Sequence, residues 1–330
     1  MSQMPKPVKI VLIGAGNHGR KNHAAALARL VREKPDEVTL AAVCDLDRKR
    51  AEAVAQGYGF ARAYGDVHEM MQREKPDGCI TVMPIGQIVP VALELLRYKV
   101  PLTVEKPPGR TPEECAQLRD AALAAGVQIQ VSVNRRFQAH LTRGLAWARE
   151  QGPLQLVSAS MLRAKRREPD FITGTAIHAI DALRHLGGDV RSYRLRGGRG
   201  SKHGVPWFKA ELEFAGGLPG TLFVHPDCGM VAERYELRGE GFSVEVQLGP
   251  LCPYELRCRR DNRDIISESF PADAPPEVAF GVYEETCAFV EAIRTGRPVK
   301  ASLADIAPSV TLAHALQRAC DDFAPSGESG

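Results

Sequence analysis

Three groups of residues in this 330-residue chain could do chemistry by their type and spacing. Gly14-Ala15-Gly16-Asn17-His18-Gly19 fits G-x-G-x-x-G, directly after an apolar run at 8–13 and before a helix-forming run at 24–31. That context suits a dinucleotide. Gly14 permits the tight turn, Gly16 lets a pyrophosphate approach the backbone, and Gly19 lets helix and strand pack closely. The unpaired N–H groups of the helix start, with Asn17 and His18 beside them, would face the phosphates. Asp45 follows the next apolar run, at 38–44. There a carboxylate can accept from both ribose hydroxyls and would repel a 2′-phosphate, which favours NAD while leaving NADP possible. Arg48 lies near enough in sequence to soften that preference, and the competing assignment has Asp45 cap the following helix. Lys106, in Val104-Glu105-Lys106-Pro107-Pro108, stands at the carboxyl end of a strand-like run. An ammonium in that place can hydrogen-bond an oxygen whose charge grows during hydride transfer, although a lone strand-end lysine is more often a surface charge.

These groups need a scaffold that brings strand ends together, and the pattern supplies one. Apolar runs at 8–13, 38–44, 78–83, 100–104 and 128–133 alternate with helix-forming stretches at 24–31, 47–56, 89–98 and 112–125. Repeated strand–helix units predict a doubly wound parallel sheet, an α/β fold. Thr111, Pro112 and Gly126 mark the bounds of the last helix as N-cap, first helical residue and C-cap. After about residue 150 the rhythm changes. Short candidate strands at 154–162, 192–199, 208–214, 220–224, 234–238, 243–248 and 255–260 are separated by glycine-bearing turns, as in an antiparallel sheet. Two helices, at 283–294 and 303–318, close the chain, and 324–330 reads as a frayed tail. The expected division is a dinucleotide-binding domain at 1–134 and a substrate-binding and oligomerisation domain of α+β type at 135–330.

The glycine motif, Glu105-Lys106-Pro107, Asn134-Arg135-Arg136-Phe137 and His178-Ala179-Ile180-Asp181 occur in this order. Together with the closing 284–290 stretch and Gly296-Arg297-Pro298, they resemble the Gfo/Idh/MocA oxidoreductases from residue 8 to about residue 317. The resemblance implies a Rossmann domain followed by a domain with a large, mostly antiparallel sheet, whose open face joins copies into a homodimer or homotetramer. It implies that Lys106 binds the reacting oxygen and that His178 is the general acid/base. Pro84, Glu105 and Pro107 would line the cofactor crevice, and Asn134, Arg136 and Asp181 would contact a small-molecule substrate. The implied activity moves a hydride between a nicotinamide cofactor and a hydroxyl or carbonyl carbon of a sugar or cyclitol.

Two positions depart from that pattern. The family's dehydrogenases usually carry an aspartate four residues before the histidine, one helical turn away, and this chain has Gly174. Oxidising an alcohol requires removal of a proton, so the gap opens two alternatives: reduction of an imine or enone, or non-catalytic dinucleotide sensing. Asp181, three residues after His178, could orient the imidazole, contact substrate or form a structural bond. The second departure is Ile88, where similar proteins often have histidine. His178, Asp181 and His185 share a helix stripe, but His185 lies two turns from His178, so no metal is expected. The basic run 163–167 reads as a solvated loop, with anion binding as its alternative.

Composition bounds the rest. Lys and Arg total 43 against 40 Asp and Glu, a net charge of +3, and the basic residues at 191–202 alternate along Arg194-Leu195-Arg196 as on an exposed strand face, with Tyr193 as the single aromatic residue among them. Nucleic acid is therefore not an expected partner. No apolar run approaches the roughly 18 residues of a membrane span, and 1–7 has no signal-peptide pattern, so the expected location is cytoplasmic. The eight cysteines have no Cys-x-x-Cys pair or zinc spacing and read as reduced thiols, with Cys44 and Cys79 acting as small core hydrophobes.

Overall fold

The computed structural model describes residues 6–200, 202–249, 254–271 and 273–323. The expected frayed tail and Cys252 lie outside them. The chain divides into two compact units, Met1–Asn134 with Pro275–Ala307, and Arg135–Ala274 with Pro308–Gly330. In chain order the first unit contains β1 (Val8–Ile13), α1 (Ala25–Glu33), β2 (Val38–Cys44), α2 (Arg48–Tyr58), β3 (Arg62–Tyr64), α3 (Val67–Glu74), β4 (Gly78–Thr81), α4 (Ile85–Leu95), β5 (Leu102–Glu105), α5 (Pro112–Ala125) and β6 (Ile129–Ser132). The second unit follows with α6 (Ala139–Gln151), β7 (Leu154–Leu162), α7 (Ile177–Gly187), β8 (Val190–Arg199), β9 (Pro206–Phe214), β10 (Pro219–His225), β11 (Ala232–Gly239), β12 (Phe242–Leu248), β13 (Glu255–Arg260) and β14 (Arg263–Ser269). The chain then returns with α8 (Pro276–Ala279), α9 (Val282–Thr295) and α10 (Leu303–Asp321).

The first unit is the expected doubly wound sheet. Its six strands run in the order β3-β2-β1-β4-β5-β6, all parallel. The order reverses between β1 and β4, and in such sheets ligands bind outside the carboxyl ends of the strands at that reversal. β1, β4, β5 and β6 are almost wholly buried because helices cover both faces, and buried Thr81, Thr103, Gln130 and Ser132 sit among their apolar residues. Thr111 caps α5 by accepting from the Glu114 N–H, and Gly126 closes it in the left-handed conformation.

Residues 275–307, expected with the second domain, belong to the first. The cause is the apolar stripe of α9. Phe289, Val290 and Ala292 are buried in the core that contains Ile10, Leu12 and Ile80. The contact is close enough that a Cβ on Gly78 would lie 2.4 Å from Ile293 Cδ1. Downstream, the Val131 N–H donates to the Ala301 carbonyl, tying the same stretch to β6.

The second unit is built on an eight-stranded sheet in the order β14-β13-β12-β11-β7-β10-β9-β8. Every pairing is antiparallel except β7 with β10. The crossover between those two contains α7. Burial alternates along β9, β10 and β12, so one face is packed and the other is half-buried or exposed. No helix among the described residues is long and apolar enough to cross a membrane. Of the described cysteines, Cys44, Cys79, Cys115, Cys258 and Cys320 are buried, and burial pushes the Cys44 thiol up to about 12.

Candidate functional site

Within the first unit, the glycine motif forms the turn from β1 into a short π-helical segment, Gly19–Ala24. Each glycine has its own reason. Gly14 has φ +96°, and a Cβ there would lie 1.9 Å from the Val82 carbonyl oxygen. A Cβ on Gly19 would lie 2.1 Å from the Gly14 carbonyl oxygen. A Cβ on Gly16 would meet nothing within 4 Å. Gly14 and Gly19 are therefore required by the protein itself, whereas Gly16 leaves an opening that the fold has no need of. That opening, at the start of the helical segment, fits a pyrophosphate.

Asp45 is not the cap of α2; Asp47 is, accepting from the Arg50 N–H at 3.2 Å. The Asp45 carboxylate instead braces the loop, with Oδ2 accepting from the Ala15 N–H at 2.8 Å and Oδ1 from the Asp47 N–H at 2.9 Å. Each oxygen retains a lone pair for a ribose hydroxyl. Arg48 does not modulate Asp45, because it pairs with Glu52 at 3.1 Å; the guanidinium near Asp45 is that of Arg50, at 3.7 Å. These features together fit NAD.

A groove of about 320 Å³ opens beside the loop, lined by Gly16, His18, Pro84, Ile88, Glu105 and Lys106 among others. Pro84 is the residue before α4, and Ile88 on its first turn is buried, so the position that departs from the family pattern forms part of the apolar wall. Lys106 leaves the end of β5 at this groove, and its peptide to Pro107 is cis.

Behind Lys106 lies a cluster that sequence reasoning missed. Glu105 Oε1 accepts from His23 Nε2 at 2.8 Å and from His18 Nε2 at 3.1 Å, while Asn22 Nδ2 donates to His18 Nδ1. His23 and Glu105 are buried. Burial alone would raise the Glu105 carboxyl, but the two imidazoles outweigh it and hold the group well below the usual carboxylate range. The hydrogen bond from His18 to Glu105 raises the His18 pKa against the opposing effect of burial. The three ligand atoms lie within 4.8 Å of one another, a spacing that could hold a metal. Both rings already share one carboxylate oxygen, however, and the Lys106 charge falls on His18 and opposes a cation. The signal for this cluster was the five-residue spacing of the histidines. An α-helix would put them on different faces, but the π-helical turn, with its i→i+5 bonding, brings them together.

Asn134, at the end of the first unit, is buried at the start of the 3₁₀ turn Asn134–Phe137.

Within the second unit, His178 lies on the first turn of α7, after a second π-helical turn, Ile172–Ala176. From Phe171 to Arg184 every residue is buried except Gly174, Thr175 and His178. Those three form one accessible stripe, widened by the π turn beyond the single position that plain helical spacing predicts. Asp181 is not on it. Its side chain is fully buried, paired in bidentate fashion with Arg136 (Nε to Oδ2 2.7 Å, Nη2 to Oδ1 2.8 Å), and it also accepts from the Ser309 hydroxyl at 2.6 Å. For Asp181 and Arg136 the geometry shows a structural ion pair within the second unit.

The basic run 163–167 is not simply a solvated loop. Arg163 joins Arg135 on the buried Glu233, which also accepts from the Tyr235 hydroxyl. Burial works against that carboxylate's charge, but the two guanidinium groups draw its pKa down to about 2. Arg166 Nη2 donates to Glu168 and, at 2.8 Å, to Thr175 Oγ1, so this loop is pinned to the accessible stripe.

Residues 8–133 match the oxidoreductase family described as having an NAD-binding Rossmann fold. Among curated relatives, D-glucoside 3-dehydrogenase of Escherichia coli (strain K12) is 29% identical over 161 residues, 49% of this chain and 44% of that protein. Inositol 2-dehydrogenase of Pseudarthrobacter chlorophenolicus is 26% identical over 211 residues, 61% of this chain and 60% of that one. The chain thus spans about half the length of the curated relatives it matches. Among solved structures, an oxidoreductase from Agrobacterium radiobacter in complex with NAD+, L-tartaric acid and magnesium superposes with TM-score 0.80 at 19% identity, covering 96% of this chain and 97% of that one. A dehydrogenase from Chromobacterium violaceum gives TM-score 0.82 at 21% identity and covers 96% of each chain. At these identities the structural likeness establishes the fold.

Proposed function

We propose that this chain, whose residues 8–133 match the Gfo/Idh/MocA oxidoreductase family with its NAD-binding Rossmann fold, interconverts a hydroxyl and a carbonyl group on a sugar, cyclitol or related small polar molecule. The observation that carries the reading is the groove in which Lys106 stands beside the glycine loop at the reversal of strand order. Gly14, Gly16, Asn17, His18 and Gly19 hold the phosphates, Asp45 the ribose, and Pro84 and Glu105 line the groove beyond. The dinucleotide supplies the two-electron acceptor or donor when bound.

The remaining work is done by side chains. Lys106 donates a hydrogen bond to the reacting oxygen, which lowers the cost of charge developing there. His178 takes the hydroxyl proton in oxidation and returns it in reduction. Asn134 contributes an amide to substrate orientation. His23 and His18 keep Glu105 ionised directly before Lys106 in the chain. The half-open sheet face of the second unit supports a homodimer or homotetramer.

The test is nicotinamide absorbance against two panels: NAD⁺ or NADP⁺ with sugars and cyclitols, and NADH or NADPH with cyclic imines, ketones and enones. Turnover in the first panel, lost about a hundredfold or more in Lys106→Ala with dinucleotide binding retained, supports the reading. Turnover confined to imines or enones would assign Gly174 to a different chemistry. Dinucleotide binding without turnover in either panel would leave a sensing protein.

A further inference from the structure

Gly174 is an expensive residue with no visible structural cause. A glycine inside a helix costs about 1 kcal/mol relative to alanine. Such a residue is usually retained for a positive φ or for close packing, and neither applies. Its φ is not in the left-handed region. A Cβ built on it would meet only the Asp170 carboxylate, at 3.6 Å from Oδ2 and 3.8 Å from Cγ, which are ordinary contact distances. What glycine preserves at this position is open space on the accessible stripe of the helix, between His178 on one side and Asp170 on the other.

Asp170 is suited to border that space. It is exposed, and its backbone carbonyl is already used, accepting from the Gly174 N–H at 2.7 Å and the Thr173 hydroxyl at 3.2 Å. Those bonds fix where its side chain starts. Among the described residues its carboxylate accepts no hydrogen bond. Arg166, four residues upstream, is committed to Glu168 and to Thr175 on the same stripe. Thr175 is therefore engaged, and Asp170 is the acceptor left to meet a ligand above Gly174.

We propose that Asp170 recognises a second hydroxyl of the substrate across the opening at Gly174, while His178 attends the reacting one; this rests on the reading of His178 given above. Asp170 immediately precedes the helical segment and His178 follows Gly174 by four residues, so the two groups flank the opening in the chain. A ligand that meets both must carry a second hydroxyl besides the reacting one, so the arrangement selects a polyhydroxylated molecule over a simple alcohol. A carboxylate accepting from a hydroxyl forms a charge-assisted bond, stronger than a neutral one.

The experiment compares wild type, Asp170→Asn and Gly174→Ala on each sugar or cyclitol that the wild type turns over, with KM and kcat separated and the KM for the dinucleotide measured alongside. Asp170→Asn should raise the polyol KM about tenfold or more, with the dinucleotide KM unchanged and the melting temperature within a degree or two. Gly174→Ala should raise the same KM by filling the opening while raising the melting temperature, a combination that a purely structural glycine would not give. Asp170→Glu should restore part of the lost affinity. If both Asp170→Asn and Gly174→Ala leave every polyol KM unchanged in a wild type that turns polyols over, the role of Asp170 is refuted and the dehydrogenase reading stands. If the wild type turns over no polyol, that reading fails and this one fails with it.

Discussion

Glu105 divides one carboxylate oxygen between two imidazoles, and the balance of forces there can be measured. Its carboxyl is held well below 4.5, the histidines outweighing burial. A depressed carboxyl stabilises the fold fully above its unfolded value of about 4.5, and that contribution is lost as pH falls through the lower folded value. Glu105→Gln should therefore cost about 3 kcal/mol near pH 7, the usual result of removing one partner from a buried charged pair. The gap to wild type should narrow between pH 5 and pH 3 in thermal melts. A gap that stays constant over that range would mean the carboxylate is not held ionised. Asp181 is a contrasting case. Asp181→Asn should destabilise by about 3 kcal/mol by leaving Arg136 without its carboxylate, yet leave the substrate KM of the folded protein unchanged; a raised KM would return Asp181 to the substrate. The sequence exposes these residues unequally. Asp45 and the glycines were legible because their reasons are local, a strand end and a turn. The partner of Asp181 lies 45 residues away, and a carboxylate alone cannot say whether it faces a guanidinium or a ligand.

Elements carry the next layer, and the two loop glycines separate their roles. Gly19→Ala would drive a Cβ to 2.1 Å from the Gly14 carbonyl oxygen, so the turn must shift; lower melting temperature and lost dinucleotide binding are expected together. Gly16→Ala meets nothing in the protein and should melt like wild type, but weaken dinucleotide binding about tenfold or more by obstructing the pyrophosphate. Titrating NADH fluorescence on both variants checks this; equal affinities for Gly16→Ala and wild type would remove the phosphates from that loop. The strands with continuous apolar runs were readable, as were helices with both caps in sequence. The short β3, α3 and β14 were not, because three to eight residues carry too little periodicity to stand out. α6 was missed although 13 residues long, since its buried stripe includes His140 and Gly144 and reads as mixed. The π turns at 19–24 and 172–176 are invisible to a period of 3.6, and both adjoin residues assigned to chemistry. Wider turns change which side chains share a face, so spacing arguments fail at the positions where function needs them.

At the scale of the whole molecule, the second unit leaves a question about its sheet. On β9, β10 and β12 the inward positions are buried, while alternate positions are half-buried or exposed. That face is not uniformly polar. Trp207 stacks on His225 with ring centroids 6.0 Å apart, and Phe223 meets the same imidazole edge-on at 6.3 Å. Three rings grouped on an otherwise charged face, with Arg234 across Ser160 of β7 in the same register, have the composition of an association surface, with an aromatic centre and a polar rim. Burial of Phe223 in a second copy would remove its apolar area from water at about 25 cal/mol per Å². A carboxylate in its place would have to be buried without a partner, which costs far more than the area gains. Phe223→Asp should therefore convert a dimer or tetramer to monomers, read as molar mass by light scattering during size-exclusion chromatography. The melting temperature of the monomer would become insensitive to concentration, where that of the wild type rises with it. Dinucleotide affinity should be unchanged, because the glycine loop and Asp45 belong to the other unit. A wild type that runs as a monomer at all concentrations, or a Phe223→Asp variant that keeps the parental mass, would move the association surface away from this sheet and leave the three rings as packing within one chain.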